Sequence, residues 1–428
     1  MPPNTPSHAE LAAAEAQASL QRGNLARADL ICQSFLTQGV RPKEMMLTQA
    51  RVALLIGEYA TARRFFAEVL AVNPSQPEVA QALSQVTLLE AQGRSLDATA
   101  TSTAPHKFHL IKAWGCGFTS DVDHTLGHLL LAEMTGRTPV IHWGKNSLFS
   151  DDPAKDAWGE FFEPVSPHTF DDLRQSGHTF FPGKWNADNL TTPEINKMSG
   201  LGSRTPGILH LNQRASVTVG DFFTSVIELL PWVRPPHPLA HTGTIAIPEI
   251  EAAYRFLVNR YLKPRQEILE AVETFAAKHF QGKEILAVHV RGSDKIFEVQ
   301  QLAETHRWIL NQVNAQLAAN PALFIFLITD DAAVRAQYLT HFPRNLIMTE
   351  CIRSSTPQGV HFLPALSRRQ LGIELLIDMY LAARCDRLVG LGFTNVSNMI
   401  LHLKEWPKDS TNLLGLVAHY HRNLVLHG

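Results

Sequence analysis

The residues best suited to chemistry cluster at His289–Lys295, where an apolar run gives way to polar groups. Ile285, Leu286, Ala287, Val288 and Val290 read as a buried strand. Arg291, Gly292, Ser293, Asp294 and Lys295 fall where that strand ends, and ligands of open α/β sheets sit outside the carboxyl ends of strands. Arg291 offers a planar fork of donors, Lys295 a point charge and Gly292 a close backbone approach, which together could hold a phosphate. Read locally, the same string is equally a strand end with a surface ion pair from Arg291 or Lys295 to Asp294. Two further strand ends repeat the pattern. Residues 322–329 (ALFIFLIT) end in Asp330 and Asp331, and residues 386–391 (DRLVGL) are followed by Gly392, Phe393, Thr394 and Asn395. In one parallel sheet all three open at the same edge. Cations and N–H donors there suit a diphosphate, carboxylates and backbone suit a base and ribose, and a helix starting near Val396 would add its N-terminus. A nucleotide-diphosphate sugar needs that assembly.

The elements that must position these groups alternate strand and helix. Helices are expected over 248–262, 265–279, 303–319, 331–339, 368–383 and 396–404, with strands at 285–290, 322–329, 345–349 and 386–391. This predicts a parallel-sheet domain. A second βαβ unit precedes it: a strand at 108–114, a Gly115-Cys116-Gly117 turn, a helix from Asp121 to Thr135 stopped by Gly136, and a strand at 138–143. The turn at Gly117 lacks dinucleotide-fingerprint spacing and reads as a close approach for a substrate, with backbone N–H groups that could face an anion. Asp121 reads as a helix cap. His124 either faces a cleft or is a core histidine. Residues 144–248 are rich in Pro, Gly and aromatics, with strands expected at 178–181 and 207–211 and a helix at 221–230. Lys145, Asn146, His210 and Arg214 are acceptor-side candidates there, with no spacing rule behind them.

Residues 8–95 read as helical throughout. Leu20, Gly23 and Ala28 recur as Leu54, Gly57 and Ala62, a period of 34 residues that matches tetratricopeptide-like helix–turn–helix repeats. Such repeats bind peptides or other subunits, so a homo-oligomer is one expectation. The predicted organisation is a repeat domain at 1–96, a small polar linker at 97–106, an acceptor-side domain at 107–248 and a nucleotide-sugar-binding domain at 249–428. The net charge of −2 gives no reason to expect nucleic acid as a partner. The four cysteines lie far apart with no metal-site spacing, which argues against a disulfide framework. With neither a basic–apolar leader nor an 18-residue apolar run, no membrane insertion is expected, and the expected address is a bacterial cytoplasm.

In order and spacing the second half of the chain resembles the α1,6-fucosyltransferase-like family, which includes core and nodulation fucosyltransferases and, more distantly, protein O-fucosyltransferases. The family's HVRxTDK motif is matched by His289–Lys295, with Ser293 for Thr. Its apolar strand ending in TDD is matched by Thr329, Asp330 and Asp331. Its third motif is matched by Asp378, Leu388-Val389-Gly390 and Thr394-Asn395-Val396-Ser397. The resemblance covers about residues 108–405 and implies a GT-B type fold, with two Rossmann-like domains facing a cleft behind the helical repeats. It implies inverting transfer of fucose from GDP-fucose, or a related GDP-sugar, to a glycan or a protein or peptide hydroxyl, with no metal and no other cofactor. Arg291 would bind the β-phosphate, and His289, Asp330, Asp331 and Asp378 would bind guanosine or order its loops. Gly292, Ser293, Asp294, Lys295, Thr394 and Asn395 complete the donor set.

Glu298 lies where the family places a catalytic carboxylate, and is either a general base or a solvated loop carboxylate. Asp330 and Asp331 also fit a helix cap, and Asp378 fits a structural ion pair. The chain departs from the family in having Gly292 where core enzymes carry a second Arg, and Phe393-Thr394 where Ser-Ser is common. Another nucleotide sugar, or a non-catalytic scaffold with a decayed transferase domain, are the alternative readings.

Overall fold

The structure, a computed structural model, describes residues 7–91, 104, 106–193, 215–229, 250–292 and 302–414, apart from residues 22–24, 37, 57, 182, 227–228, 357 and 364–365. The chain begins with five helices: α1 (His8–Gln21), α2 (Leu25–Leu36), α3 (Lys43–Ile56), α4 (Tyr59–Val72) and α5 (Pro77–Ala91). Each packs on its successor, and α1 also packs on α3. Ala16, Ala50, Ala53 and Ala62 are fully buried, so small residues let the helices close on one another. Most of this core is separate. Leu20, Ala28 and Val52, however, belong to the same continuous apolar cluster as the α/β part of the chain.

The first α/β lobe is built on β1 (Phe108–Lys112), α6 (Phe118–Thr135) and β2 (Thr138–His142), followed by β3 (Phe180–Phe181) and β4 (Val217–Gly220). Its strands are parallel in the order β2-β1-β4-β3. Gly136, at φ 61°, closes α6 in the left-handed conformation that glycine adopts without strain. The sequence placed the start of α6 three residues late and missed β4, whose four residues are short and enclosed on both faces. Residues 221–225, expected to be helical, are not, although Val226 and Leu229 are. The strand expected at 207–211 lies outside the described residues.

Two helices, α7 (Ile250–Tyr261) and α8 (Gln266–His279), lead to the second lobe. Its elements are β5 (Ile285–His289), α9 (Leu302–Ala319), β6 (Phe324–Ile328), α10 (Ala332–His341), β7 (Leu346–Ile347), α11 (Arg368–Ala382), β8 (Arg387–Leu391), α12 (Asn395–His402) and β9 (Thr411–Leu414). All strands are parallel, in the order β7-β6-β5-β8-β9. β5 shows why its run is uniformly apolar. Ile285 and Ala287 face one apolar cluster and Leu286 and Val288 the other, so both faces are covered.

Strand order reverses between β5 and β8 in one lobe and between β1 and β4 in the other. Such switch points leave a crevice at the strands' carboxyl ends, and the two crevices face each other across one cleft. Helix α7 packs against both α6 and α12, and so touches both sides of that cleft. Two parallel sheets facing a cleft make this a GT-B type fold.

Candidate active site

A cavity of about 500 Å³ lies between the lobes. The first lobe contributes the Gly115–Ser120 turn and helix start, together with Leu148 and Phe149. The second contributes His289, Arg291, Thr329 and Asp330 from the ends of β5 and β6, one face of α11, and Phe393–Val396 at the start of α12.

Arg291 is held at the cavity wall by Asp330. Its Nη1 donates to Asp330 Oδ2, and the Gly292 N–H donates to Oδ1 at 3.0 Å. One carboxylate thus fixes both the guanidinium and the backbone that carries it. Gly292 is required where it stands, because a Cβ there would lie 2.4 Å from Asp331 Cβ. Any side chain at this position, an arginine included, would have to displace Asp331. Ser293, Asp294, Lys295 and Glu298 lie outside the described residues, so the local ion-pair reading of Asp294 and the general-base reading of Glu298 stay at the level of sequence.

His289 is buried, and its Nδ1 lies 2.7 Å from Ser397 Oγ. Thr394 Oγ1 donates to the Leu391 carbonyl, while Ser397 Oγ accepts from the Leu391 N–H. The Ser397 hydroxyl proton is then best spent on His289 Nδ1, which assigns the ring proton to Nε2. Burial, assisted by the Arg291 charge, pushes the imidazole down to about 3, so His289 is neutral near pH 7. Thr394 caps α12 by accepting from the Ser397 N–H, and Asn395 donates to Ser120 Oγ across the cleft. The N-termini of α6 and α12 therefore meet at the same cavity, each a natural place for negative charge.

Asp378 lies on the cavity wall and is almost fully buried. It accepts from Thr349 Oγ1 at 2.6 Å, with Cys351 Sγ at 3.6 Å. Burial raises its carboxyl to about 6, against the lowering pull of Thr349 and the Arg353 charge. Leu371, Glu374, Leu375 and Asp378 share the cavity-facing stripe of α11. Glu374, which the sequence reading passed over, accepts from the Ile352 N–H at 2.9 Å. Its place four residues before Asp378 puts both carboxylates on one face of the helix, but nothing in the sequence says that this face meets the cleft.

Several expectations need correction. Asp331 is the N-cap of α10, accepting from the Ala333 and Val334 N–H groups, and does not line the cavity. Asp121 caps no helix: Gly117 occupies that place, and Asp121 accepts from the N–H groups of Trp114, Gly115 and Cys116, each at 3.2 Å. The turn thus faces an anion of its own. His124 is a core histidine, bonded to the Lys112 carbonyl and the Thr224 N–H. Lys145 and Asn146 line a separate small recess with Lys112 and His142. His210 and Arg214 lie outside the described residues. Gly117 does line the cavity, as expected of a close-approach turn. Among the described residues no cluster fit to hold a metal is present, and no helix is long and apolar enough to cross a membrane.

The two-lobed α/β fold, with its cleft at both switch points, defines the class. Comparison with known proteins then narrows it. Residues 251–401 match the family described as NodZ, Nodulation protein Z, and all three donor motifs lie inside that span. The chain is 27% identical over 278 residues to Nodulation protein Z of Bradyrhizobium diazoefficiens, covering 60% of this chain and 68% of that protein. Among solved structures it is similar to a fucosyltransferase NodZ from Bradyrhizobium, at 23% identity and a TM-score of 0.47, over 69% of this chain and 93% of that one. It is also similar to POFUT1 in complex with GDP-fucose, at 12% identity and a TM-score of 0.43, over 74% of this chain and 100% of that one. The family match spans α7 to α12, and the 278 residues aligned with Nodulation protein Z extend beyond it.

Proposed function

We propose that this chain is a fucosyltransferase that takes fucose from GDP-fucose and passes it, with inversion, to a hydroxyl of a glycan or of a protein or peptide. One observation carries the reading: Arg291, clamped by Asp330, lines a cavity at which two helix N-termini meet. The leaving diphosphate gains charge as the sugar–phosphate bond breaks. A cation and fixed N–H dipoles aimed at that charge act most strongly in the transition state. His289, neutral with its proton on Nε2, supplies a donor to the same region. Asp378 and the α11 face form the wall on which the base is read. Glu298 is the proposed general base. Transfer needs no metal in this reading, and the five helices are read as tetratricopeptide-like repeats that bring the acceptor or a second copy of the chain.

A thermal-shift panel with GDP, UDP, ADP, CDP and GDP-fucose, with and without EDTA, tests the donor. Ligand that binds the folded state raises the melting temperature by mass action. Shifts with GDP and GDP-fucose alone, unchanged by EDTA, are expected. A preference for UDP would replace the donor, and silence with every nucleotide would return the chain to the scaffold reading.

A further inference from the structure

Behind the cavity, α6, α7 and α12 meet in a buried joint. Tyr254 of α7 is its hub. The hydroxyl donates to Asp123 Oδ1 on α6, and the ring lies face to face with His402 at the end of α12, with centroids 4.0 Å apart and planes 3° apart. All three side chains are buried. Nearer the cavity, Asn395 of α12 donates to Ser120 of α6. Between these two attachments stands Asn398, three residues after Asn395 and four before His402, on the same stripe of α12. Asn398 is 2% exposed, and neither its Oδ1 nor its Nδ2 has a partner. A buried amide with nothing to bond is costly, and native proteins keep one only for a reason.

The same two helices present their N-termini, Gly117–Ser120 and Thr394–Val396, to the cavity. Their separation there is set by whatever holds α6 against α12. Tyr254 grips one helix by a hydrogen bond and the other by ring stacking, from an element belonging to neither sheet. We propose that Tyr254 is a positioning residue for fucosyl transfer: with Asp123 and His402 it fixes the spacing of the two helix N-termini that flank the donor diphosphate. Asn398 keeps a polar position between those helices at the expense of packing, so that their spacing is the one Tyr254 sets and not the one that closest apolar packing would give. The inference rests on the donor reading of the cavity.

Full-chain Y254F and N398L test it, through GDP-fucose kinetics, GDP calorimetry and amide hydrogen exchange. Tyr254→Phe keeps the stacked ring and releases α6. The kcat/KM for GDP-fucose should fall about five-fold or more, with KM higher and kcat lower, because the two helix N-termini face the diphosphate in the bound donor and act most strongly on the charge that develops as it leaves. Amides 117–121 and 394–398 should exchange faster together in the absence of nucleotide. Asn398→Leu should raise the melting temperature while also raising the KM, a pairing that a merely structural joint would not give. Lower melting of Y254F with unchanged KM, GDP affinity and exchange at both helix starts overturns the proposal. So does stabilisation of N398L with unchanged kinetics, the deciding result if Y254F fails to fold. If the wild-type chain binds no GDP, the donor reading fails by itself. Coordinated exchange at the two helix starts then still supports the joint, and independent exchange overturns it.

Discussion

In the second lobe, His289 stands at the end of β5, lines the cavity and is held by Ser397. In the first, His109 on β1 and His128 on α6 form a chain closed at both ends: Thr218 Oγ1 to His109 Nδ1 at 2.8 Å, His109 Nε2 to His128 Nδ1 at 2.9 Å, and His128 Nε2 to the Phe222 carbonyl at 3.1 Å. His124 packs edge-on against His128. All four are buried and neutral at pH 7, with His109 and His124 held well below the usual imidazole range, above all by burial. The difference lies in what the partners leave over. In the first lobe every ring nitrogen is spent on the interior, whereas His289 keeps one for the cavity. Polar residues near strand ends become a site only where the surrounding elements stop short of satisfying them.

Mutations that break this contrast should differ in kind. The largest effect is expected from Arg291→Ala, with kcat/KM for GDP-fucose lower by on the order of 100-fold or more, since it removes charge stabilisation at the leaving group. Steady-state kinetics and loss of the GDP thermal shift would show it, and His109→Asn, in the closed chain, should not reproduce that pattern. Gly292→Ala comes next. Its Cβ has to displace Asp331 and the Asp330–Arg291 clamp, so a fall in stability of about 1–3 kcal/mol is expected from overpacking. A rise in donor KM should accompany it, and unchanged KM would mean the clamp tolerates the shift.

Acid should then separate the buried histidines from Asp378. His128 is pushed down to about 4 by burial, so the unfolded chain binds its proton first as the pH falls. Its contribution is complete above the unfolded value near 6.5 and is lost between there and about 4. Melting temperatures measured across that window should fall in wild type and fall less steeply in His128→Gln. Asp378 runs the other way. Its carboxyl, raised to about 6, favours the fold at low pH and loses that advantage as the pH climbs from the usual carboxylate value through 6. The smallest effect is therefore expected from Asp378→Asn, which should melt a few degrees higher than wild type at pH 7 and show no gain near pH 4. A destabilised Asp378→Asn at pH 7 would mean that the carboxylate's hydrogen bonds outweigh its burial.

Much of this was legible in the sequence because parallel strands enclosed on both faces are written as unbroken apolar runs. β5 and β6, and the helix between them, were found with boundaries a few residues off. The strands that escaped, β4 and β9, are four residues long and lack such a run. Arg291, Asp330, Asp378, Thr394 and Asn395 were named from motif order, and the structure brings them to one cavity or its rim. Asp331 and His124 were left between two readings because residue type does not say whether a nearby N–H or carbonyl will claim the side chain first. Glu374, Ser120 and Tyr254 could not be ranked without knowing which helices meet.

Leu20, Ala28 and Val52 lie in the apolar cluster that also contains the core of the α/β lobes. The five helices contact chiefly their sequence neighbours, so they can form as soon as they leave the ribosome. The first lobe cannot. Its central strand pairs Phe108 with Val217, a partner synthesised much later. During that interval Leu20, Ala28 and Val52 have no lobe to lie against, and a chain shortened past the helices would lack the apolar side chains with which the lobe's core is continuous.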